Sequence, residues 1–200
     1  MNDHYYSQQP ASLSNPSSFH ASLRGQTLLF YTDHGVFSRR EIDAGSRLLI
    51  ASLPTMSAGT MLDLGCGYGA VGIAMAASTP VLNVWMSDVN ARAVELAIRN
   101  SVANKVHDRV QVLQSDGFDA IPSDVTFDMI TLNPPIRAGK SVVYRLYENA
   151  KEHLRNGGLF YVVIQKKQGA ASSESYLREI GFEVKIIAKE KGYRVYECKK

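Results

Sequence analysis

The segment Met-Leu-Asp-Leu-Gly-Cys-Gly-Tyr-Gly-Ala, residues 61–70, decides how the rest of the chain is interpreted. An apolar run ends in an acid, three glycines follow at alternate positions, and a run of small residues comes next. This order predicts a strand, a tight turn and the start of a helix. Glycine allows turn conformations and close approach of the backbone to a ligand, and the first N–H groups of a helix are free. The segment therefore predicts a small-molecule site.

Two ligand classes fit the glycine turn. Residues 65–70 satisfy the dinucleotide pattern G-x-G-x-x-G/A, and Asp88 lies at the spacing of a ribose-binding acid. Asp63, however, precedes the turn, and a carboxylate there suits a ligand with a cationic amino group and would oppose a pyrophosphate. The D-x-G-x-G form resembles motif I of class I S-adenosylmethionine-dependent methyltransferases.

The composition predicts one soluble, cytoplasmic domain. The chain has 200 residues, 45% of them hydrophobic, and a formal net charge of +3, which is modest for a nucleic-acid binder. Its two cysteines make no disulfide framework, and its five histidines show no metal spacing. The apolar runs are far shorter than a membrane span. We therefore expect no metal and no membrane association.

Residues 1–57 are predicted to be an extension that packs on the core, and residues 58–200 to be the core itself. Residues 1–25 are rich in Ser, Asn and Pro and indicate an arm or loop. Residues 26–33 are β-prone, and residues 36–38 can return as the second strand of a small hairpin. A helix is expected from about residue 40 to residue 53, where Pro54 closes it.

The core alternates strands and helices, as in a Rossmann-like α/β fold. Apolar runs predict strands at 60–64, 80–86, 110–113, 127–132 and 159–164, and a late hairpin at 183–188 and 194–198. Helices are expected at 70–77, after a cap at Asn90, at 140–155 before Gly157 and Gly158, and at 172–180. The prediction is a mostly parallel seven-stranded sheet with an antiparallel C-terminal hairpin.

Polar signatures follow five of these strands where each strand ends. They are Asp63 with the glycine turn, Asp88, Asp116, the Asn133 loop, and Lys166 with Lys167. Ligands of doubly wound sheets bind outside the carboxyl ends of the strands. We therefore expect these residues to surround one crevice.

The methyltransferase resemblance, which spans residues 58–200, implies roles by position. Asp88, followed by Val89, looks like the acid that accepts both ribose hydroxyls of S-adenosylmethionine. Asp116 resembles the acid that accepts the adenine amine, with Gly117 and Phe118 beside the ring. Asp63 would serve the methionine end. The turn residues of the cofactor site are Gly65, Cys66, Gly67 and Gly69.

The segment Asn133-Pro134-Pro135-Ile136 resembles the N/D-P-P-x motif of methyltransferases that act on planar nitrogen. The lone pair of such a nitrogen is delocalised, so the nitrogen is a poor nucleophile until hydrogen bonds hold it in a more tetrahedral geometry. The Asn133 side-chain oxygen and the Pro134 carbonyl are suitable acceptors for its two N–H groups. The two prolines stiffen the loop. Asn133 also borders the expected cofactor site.

Position 136 departs from the motif, because many relatives carry an aromatic residue that stacks on the target ring. In this chain stacking could come from Phe37, or from Phe30 and Tyr31, or the ring could pack on aliphatic surface such as Ile136. These alternatives stay open at the level of the sequence.

A closer resemblance covers nearly the whole chain. Residues 30–38 and 42–46, together with the Asn133 loop and Gly158, look like the ribosomal RNA guanine-N2 methyltransferases of the small subunit. Residues 135–140 and 165–169 resemble a short, single-domain branch of that family. The resemblance implies ribosomal RNA or the small ribosomal subunit as partner, with a base splayed from its stack. The cations that would hold phosphates are Arg137, Lys140, Lys166 and Lys167.

Three competing functions share parts of this pattern. A protein glutamine N-methyltransferase would use the same Asn133 loop, and a non-catalytic RNA-binding or ribosome-assembly factor could keep the scaffold. A nicotinamide oxidoreductase fits the glycine turn but leaves the two prolines unexplained. The oligomeric state and the methylated nucleotide are not predicted.

Overall fold

The computed structural model describes residues 13–200, and these form one large and one small sheet. The strands are β1 (Ser17–Leu23), β2 (Gln26–Thr32), β3 (Gly59–Leu64), β4 (Leu82–Asp88), β5 (Val110–Gln114), β6 (Phe127–Leu132), β7 (Leu154–Gln165), β8 (Glu183–Glu190) and β9 (Tyr193–Lys199). The α-helices are α1 (Ala44–Ser52), α2 (Ala70–Ser78), α3 (Ala91–Ala103), α4 (Lys140–His153) and α5 (Ala170–Glu179).

The predicted seven-stranded sheet is confirmed. Its strand order is β5-β4-β3-β6-β7-β9-β8; the first five strands are parallel, and β9 pairs antiparallel with both β7 and β8. Successive side chains of a strand point to opposite faces, so Met61 and Leu62 belong to separate core clusters. One cluster includes residues of α1, α2 and α3, and the other includes residues of α4 and α5. Burial on both faces explains the nearly continuous apolar strands.

α2 and α3 begin where their sequences indicate. The side chain of Asn90 accepts hydrogen bonds from the N–H groups of Arg92 and Ala93, so it caps α3. Gly72 allows α2 to lie close to β4, because a Cβ there would come within 2.5 Å of the Met86 sulfur. The small residues of α2 therefore set the distance between helix and sheet.

The prediction of an N-terminal hairpin is wrong about the strand that pairs with β2. β2 does pair in a hairpin, but with β1, which precedes it; residues 36–38 are not a strand. Arg24 and Gly25 turn the chain with φ values of 48° and 77°, as a two-residue hairpin of the right twist requires. The Ser-rich composition of residues 17–22 hid this strand, most of whose side chains are exposed. The rest of the predicted arm, residues 1–12, lies outside the described residues.

Two asparagines of α3 attach this hairpin to the core. Asn104 accepts from the backbone N–H of Leu29 and donates to its carbonyl, and Asn100 makes the same pair of bonds to Tyr31, at distances of 2.7 to 3.0 Å. Residues four apart share a helix face, and alternate strand residues point their backbone groups to one edge. The asparagine pair therefore substitutes for a neighbouring strand. The predicted division at residues 57 and 58 stays a prediction.

The bounds of α1 and α4 differ from those predicted. α1 begins at Ala44 because Asp43 caps it, four residues later than expected. α4 ends at His153 rather than near residue 155, and Gly157 and Gly158 lie inside β7. The pairing of β6 with β7 shifts register there, and a Cβ at Gly158 would come within 2.9 Å of a backbone oxygen. This glycine permits close backbone approach at a bulge and does not terminate a helix.

Candidate active site

A cavity of about 760 Å³ lies over the carboxyl ends of β3, β4, β5 and β6. It has the size of a typical cofactor or ligand site. Of the residues predicted for the site, those that line it are Phe37, Asp63, Gly65, Cys66, Gly67, Asp88, Val89, Asp116, Gly117, Asn133, Pro134, Pro135, Ile136 and Arg137. The structure therefore brings the predicted glycine turn, acids and Asn133 loop together.

The glycine turn wraps around the end of β4. Gly65 and Gly67 have φ values of 66° and 57°, which other residues rarely adopt. The Cys66 N–H donates to the Ser87 carbonyl at 2.9 Å, and the Gly67 N–H donates to the Asp88 carboxylate at 2.8 Å. Burial raises the pKa of the Cys66 thiol well above its usual value, so Cys66 packs here as a small neutral side chain.

Gly69 lies at the junction of the glycine turn and α2. It caps α2 in a left-handed conformation with φ of 92°, and a Cβ there would lie 2.9 Å from the Ile73 side chain. Gly69 does not line the cavity, so its predicted role as a cofactor contact is not supported by its position.

Asp63 is buried, and both of its oxygens are engaged. One accepts the Gly72 N–H at 2.9 Å, and the other accepts the Thr131 hydroxyl at 3.1 Å. Burial nevertheless raises the pKa of Asp63 to about 7, with the charge of Asp88 adding to the effect. A cationic group in the cavity would offset the cost of the buried charge.

Asp88 lies at the end of β4 and also faces the cavity. It accepts hydrogen bonds from the backbone N–H groups of Gly67 and Asn90, at 2.8 and 2.9 Å. Burial raises the pKa of Asp88 despite these bonds. Each carboxylate oxygen can accept a second donor, so the geometry fits a ligand with two adjacent hydroxyl groups.

Asp116 lines the cavity, whereas Phe118 does not. Asp116 is half-exposed and forms an ion pair with Arg145, which also lines the cavity, at 2.8 Å. The Phe118 ring is buried in the core and stacks on His153 with a centroid distance of 4.5 Å. The structure therefore does not bring the Phe118 ring to the cavity. The sequence did not indicate a role for Arg145, because nothing in the pattern of α4 shows that this arginine pairs with Asp116.

The Asn133 side chain is held in one orientation by the N-terminal part of the chain. Its amide nitrogen donates to the Asp43 carboxylate and to the Ser46 hydroxyl, each at 3.0 Å. Among residues 13–200, the hydrogen bonds of this side chain come from its nitrogen, and Asn133 lines the cavity. The Pro134 carbonyl accepts the Ile136 N–H at 2.8 Å and keeps a second lone pair. The loop therefore offers two acceptors.

The N-terminal part of the chain forms one rim of the cavity. Phe37 is 40% exposed and lines the cavity together with Ile136. Phe30 is buried and packs against Phe19 and Tyr68, which makes the alternative based on Phe30 wrong. The Tyr31 ring is covered by Arg99, whose guanidinium lies 3.6 Å from the ring centroid.

Asp43, Ser46 and Tyr193 also line the cavity, and sequence reasoning assigned them no role. Asp43 carried a weak signal, since aspartate is a favoured residue at the N-cap of a helix. Tyr193 carried none. It reaches the cavity because β9 lies beside β7, so that its hydroxyl lies 3.4 Å from Asp43.

Of the four predicted phosphate-binding cations, Arg137 alone lines the cavity. Lys140, Lys166 and Lys167 are exposed outside it, and Gln168 reaches the cavity instead. Their predicted role is to hold phosphates beside the opening, which requires exposure and not lining. That role stays a prediction.

Residues 13–200 contain neither a cluster of metal-binding side chains nor a membrane-spanning helix. No group of three or more His, Cys, Asp or Glu side chains there could hold a metal ion. None of the helices in the same part of the chain has the length and apolar character needed to cross a bilayer.

One family model and several known proteins match this chain. A family model described as the methyltransferase small domain matches residues 27–197. A Bacillus subtilis protein, described as uncharacterized protein YbxB, is 45% identical over 100% of both chains. A ribosomal RNA small subunit methyltransferase C from Mannheimia succiniciproducens is 39% identical over 68% of this chain and 41% of the relative.

A solved structure matches the fold over nearly the whole chain. It is the T. thermophilus 16S rRNA N2 G1207 methyltransferase in complex with AdoMet and guanosine, with a TM-score of 0.82 and 28% identity. The match covers 96% of this chain and 52% of that protein. The chain therefore spans about half of the two ribosomal RNA methyltransferases that it resembles.

Proposed function

The chain belongs to the methyltransferase small domain family, and on this premise we propose that it methylates the exocyclic N2 amine of a guanine in small-subunit ribosomal RNA. Its cofactor is S-adenosylmethionine, as expected from the glycine turn and the acids after β3 and β4. The proposal concerns the choice of guanine as target and of ribosomal RNA as substrate.

The residues around the glycine turn fit this cofactor. When bound, S-adenosylmethionine supplies a methyl group on a sulfonium, which is electrophilic. Asp88 keeps acceptor capacity for two ribose hydroxyls, and Asp116, oriented by Arg145, can accept an adenine amine. Asp63 provides a buried carboxylate whose cost of ionisation a cationic amino group would reduce. These assignments follow from position and chemistry.

One observation supports amine chemistry above all. The nitrogen end of the Asn133 amide is occupied by Asp43 and Ser46, so its oxygen is the end left for a substrate. An aromatic amine has two N–H donors and needs two acceptors, which the Asn133 oxygen and the Pro134 carbonyl supply. Accepting both protons draws the nitrogen toward tetrahedral geometry and aims its lone pair at the methyl group. No strong base is needed, because methyl transfer makes the nitrogen acidic.

The choice of ribosomal RNA rests on relatives and on surface charge. Two of the similar proteins, from Mannheimia succiniciproducens and T. thermophilus, are small-subunit ribosomal RNA methyltransferases, and the second was solved with guanosine. Arg137 at the cavity, with exposed Lys140, Lys166 and Lys167, provides positive charge for a phosphate backbone. Phe37 and Ile136 offer apolar surface for a splayed base.

The test is transfer of labelled methyl groups from S-adenosylmethionine to small ribosomal subunits taken from cells that lack this protein. Mass spectrometry of the RNA should then show one new N2-methylguanine. The Asn133→Ala variant should lose at least a hundredfold in rate but keep its affinity for the cofactor. The matched control is Asn83→Ala, an exposed asparagine in the N-terminal half of β4, away from the cavity.

Two results would contradict the proposal. Label in the glutamine amide of a protein, with none in RNA, would identify the chain as a protein methyltransferase. Equal rates for Asn133→Ala and the Asn83→Ala control would remove the role of the Asn133 amide. Calorimetry with S-adenosylmethionine separates loss of chemistry from loss of the cofactor site.

A further inference from the structure

We propose that Asp43, assisted by Ser46, is a positioning residue that fixes the orientation of the Asn133 amide. This inference rests on the proposed function, because it concerns the group that would receive the substrate amine. Asp43 precedes α1, and Asn133 follows β6, 90 positions later in the chain. The Asn133 amide nitrogen lies 3.0 Å from an Asp43 carboxylate oxygen and 3.0 Å from the Ser46 hydroxyl.

The chemistry of the carboxylate permits one orientation of the amide. An ionised carboxylate only accepts hydrogen bonds, so it requires the amide nitrogen and repels the amide oxygen. A rotation of 180° about the last side-chain bond of Asn133 would place two acceptors 3.0 Å apart. The same rotation would point N–H donors at a substrate amine that needs acceptors. Asp43 therefore keeps the productive end of Asn133 directed at the cavity.

Asp43 is itself held in place from two sides. Its carboxylate accepts the Ser46 N–H at 2.8 Å and so caps α1. The Tyr193 hydroxyl donates to its other oxygen at 3.4 Å. Gly45 allows this approach, because a Cβ there would come within 2.8 Å of the Tyr193 ring. A positioning residue must itself be held by hydrogen bonds and packing, and these contacts hold Asp43.

Loss of the helix cap is the competing explanation for any effect of mutating Asp43, and two substitutions separate it from positioning. Serine caps helices about as well as aspartate, but its side chain is one bond shorter and does not reach Asn133. Asparagine keeps an oxygen that can accept from both Ser46 and Asn133. Asp43→Ser should therefore keep the cap and lose positioning, whereas Asp43→Asn should keep both.

The kinetic experiment compares Asp43→Ala, Asp43→Ser and Asp43→Asn with the unmodified protein. We expect kcat to fall at least tenfold for Ala and Ser, with the Kd for S-adenosylmethionine changed less than about twofold. Asp43→Asn should retain at least about a third of kcat. The control is Ser52→Ala, which removes a side-chain bond at the other end of α1 and should leave kcat unchanged. Normal kcat for Asp43→Ser, or equal losses for Asp43→Asn and Asp43→Ala, would overturn the inference.

A spectroscopic measurement tests the same inference without a substrate. The two side-chain N–H signals of Asn133 should exchange slowly with water in the unmodified protein and in Asp43→Asn. In Asp43→Ser they should exchange at the rate of a free amide. Fast exchange in the unmodified protein would overturn the positioning role. Slow exchange in a protein that methylates no RNA would support that role and refute the proposed function.

Discussion

Replacing Asp63 with asparagine should stabilise the protein above pH 7 and lower its affinity for S-adenosylmethionine. Burial raises the pKa of Asp63 from 3.8 to about 7 in the folded protein. Between these two values the folded state holds a proton that the unfolded chain has released. The free energy of unfolding contributed by Asp63 is therefore greatest below pH 3.8 and falls as the pH rises to about 7.

The size of the effect follows from the pKa. At about 1.36 kcal/mol per pKa unit, the change from 3.8 to about 7 corresponds to roughly 4 kcal/mol, which is a ceiling. Asparagine has the same shape and can accept the Gly72 N–H and donate to the Thr131 hydroxyl. It carries no charge to bury. We expect Asp63→Asn to gain about 1–4 kcal/mol at pH 8 and almost nothing at pH 4.

Urea unfolding between pH 4 and pH 8.5 measures this difference. Trp85, the single tryptophan, packs on Phe127 in the core and reports unfolding through its fluorescence. The control is Asp124→Asn, an exposed aspartate in the loop before β6. Calorimetry at pH 8 should show a Kd for S-adenosylmethionine raised about tenfold or more, because a carboxylate near its cationic amino group is lost.

Two outcomes would refute the reasoning. Parallel curves of stability against pH for the two proteins would mean that Asp63 does not bear the cost of a buried charge. An unchanged Kd beside the expected gain in stability would leave the burial argument intact and remove Asp63 from the cofactor site.

Three further predictions concern the surface, the hairpin and the sheet. Lys166→Ala combined with Lys167→Ala should weaken RNA binding and reduce the slope of log Kd against log salt by about 1–2, measured by filter binding; an unchanged slope would contradict a phosphate contact. Asn100→Ala should lower the free energy of unfolding in urea by about 2–4 kcal/mol, because buried backbone groups lose partners; a loss below ~1 kcal/mol would refute this. Gly72→Ala should cost about 1–3 kcal/mol in thermal unfolding through its clash with Met86, and Met86→Ala should reduce that cost.

The core and most of the site could be predicted because their signals are local. The apolar run of β6 and the Asn133 loop after it are adjacent in the chain, and β6 has the predicted bounds. The same holds for Asp63, the glycine turn and α2. A strand end is visible in the sequence, and parallel strands bring their ends to one edge.

The N-terminal hairpin could not be predicted, because its cause lies elsewhere in the chain. β1 alternates weakly and is mostly exposed, and the attachment of β2 depends on Asn100 and Asn104, about 70 residues later. An asparagine in a helix carries no sign that it will bond a strand. The sequence likewise did not indicate that Phe30 is buried. Because its ring is buried, it cannot stack on a substrate in the cavity.

The sequence alone determined the sheet, the glycine turn, the acids that follow β3 and β4, and the Asn133 loop that follows β6. The tertiary structure decided which end of the Asn133 amide faces the cavity, because Asp43 and Tyr193 come from segments 90 positions before Asn133 and 60 after it. Periodicity and turn chemistry act between neighbours and are visible in one dimension. Hydrogen bonds between distant segments depend on chain folding, which brings together groups that no local pattern relates.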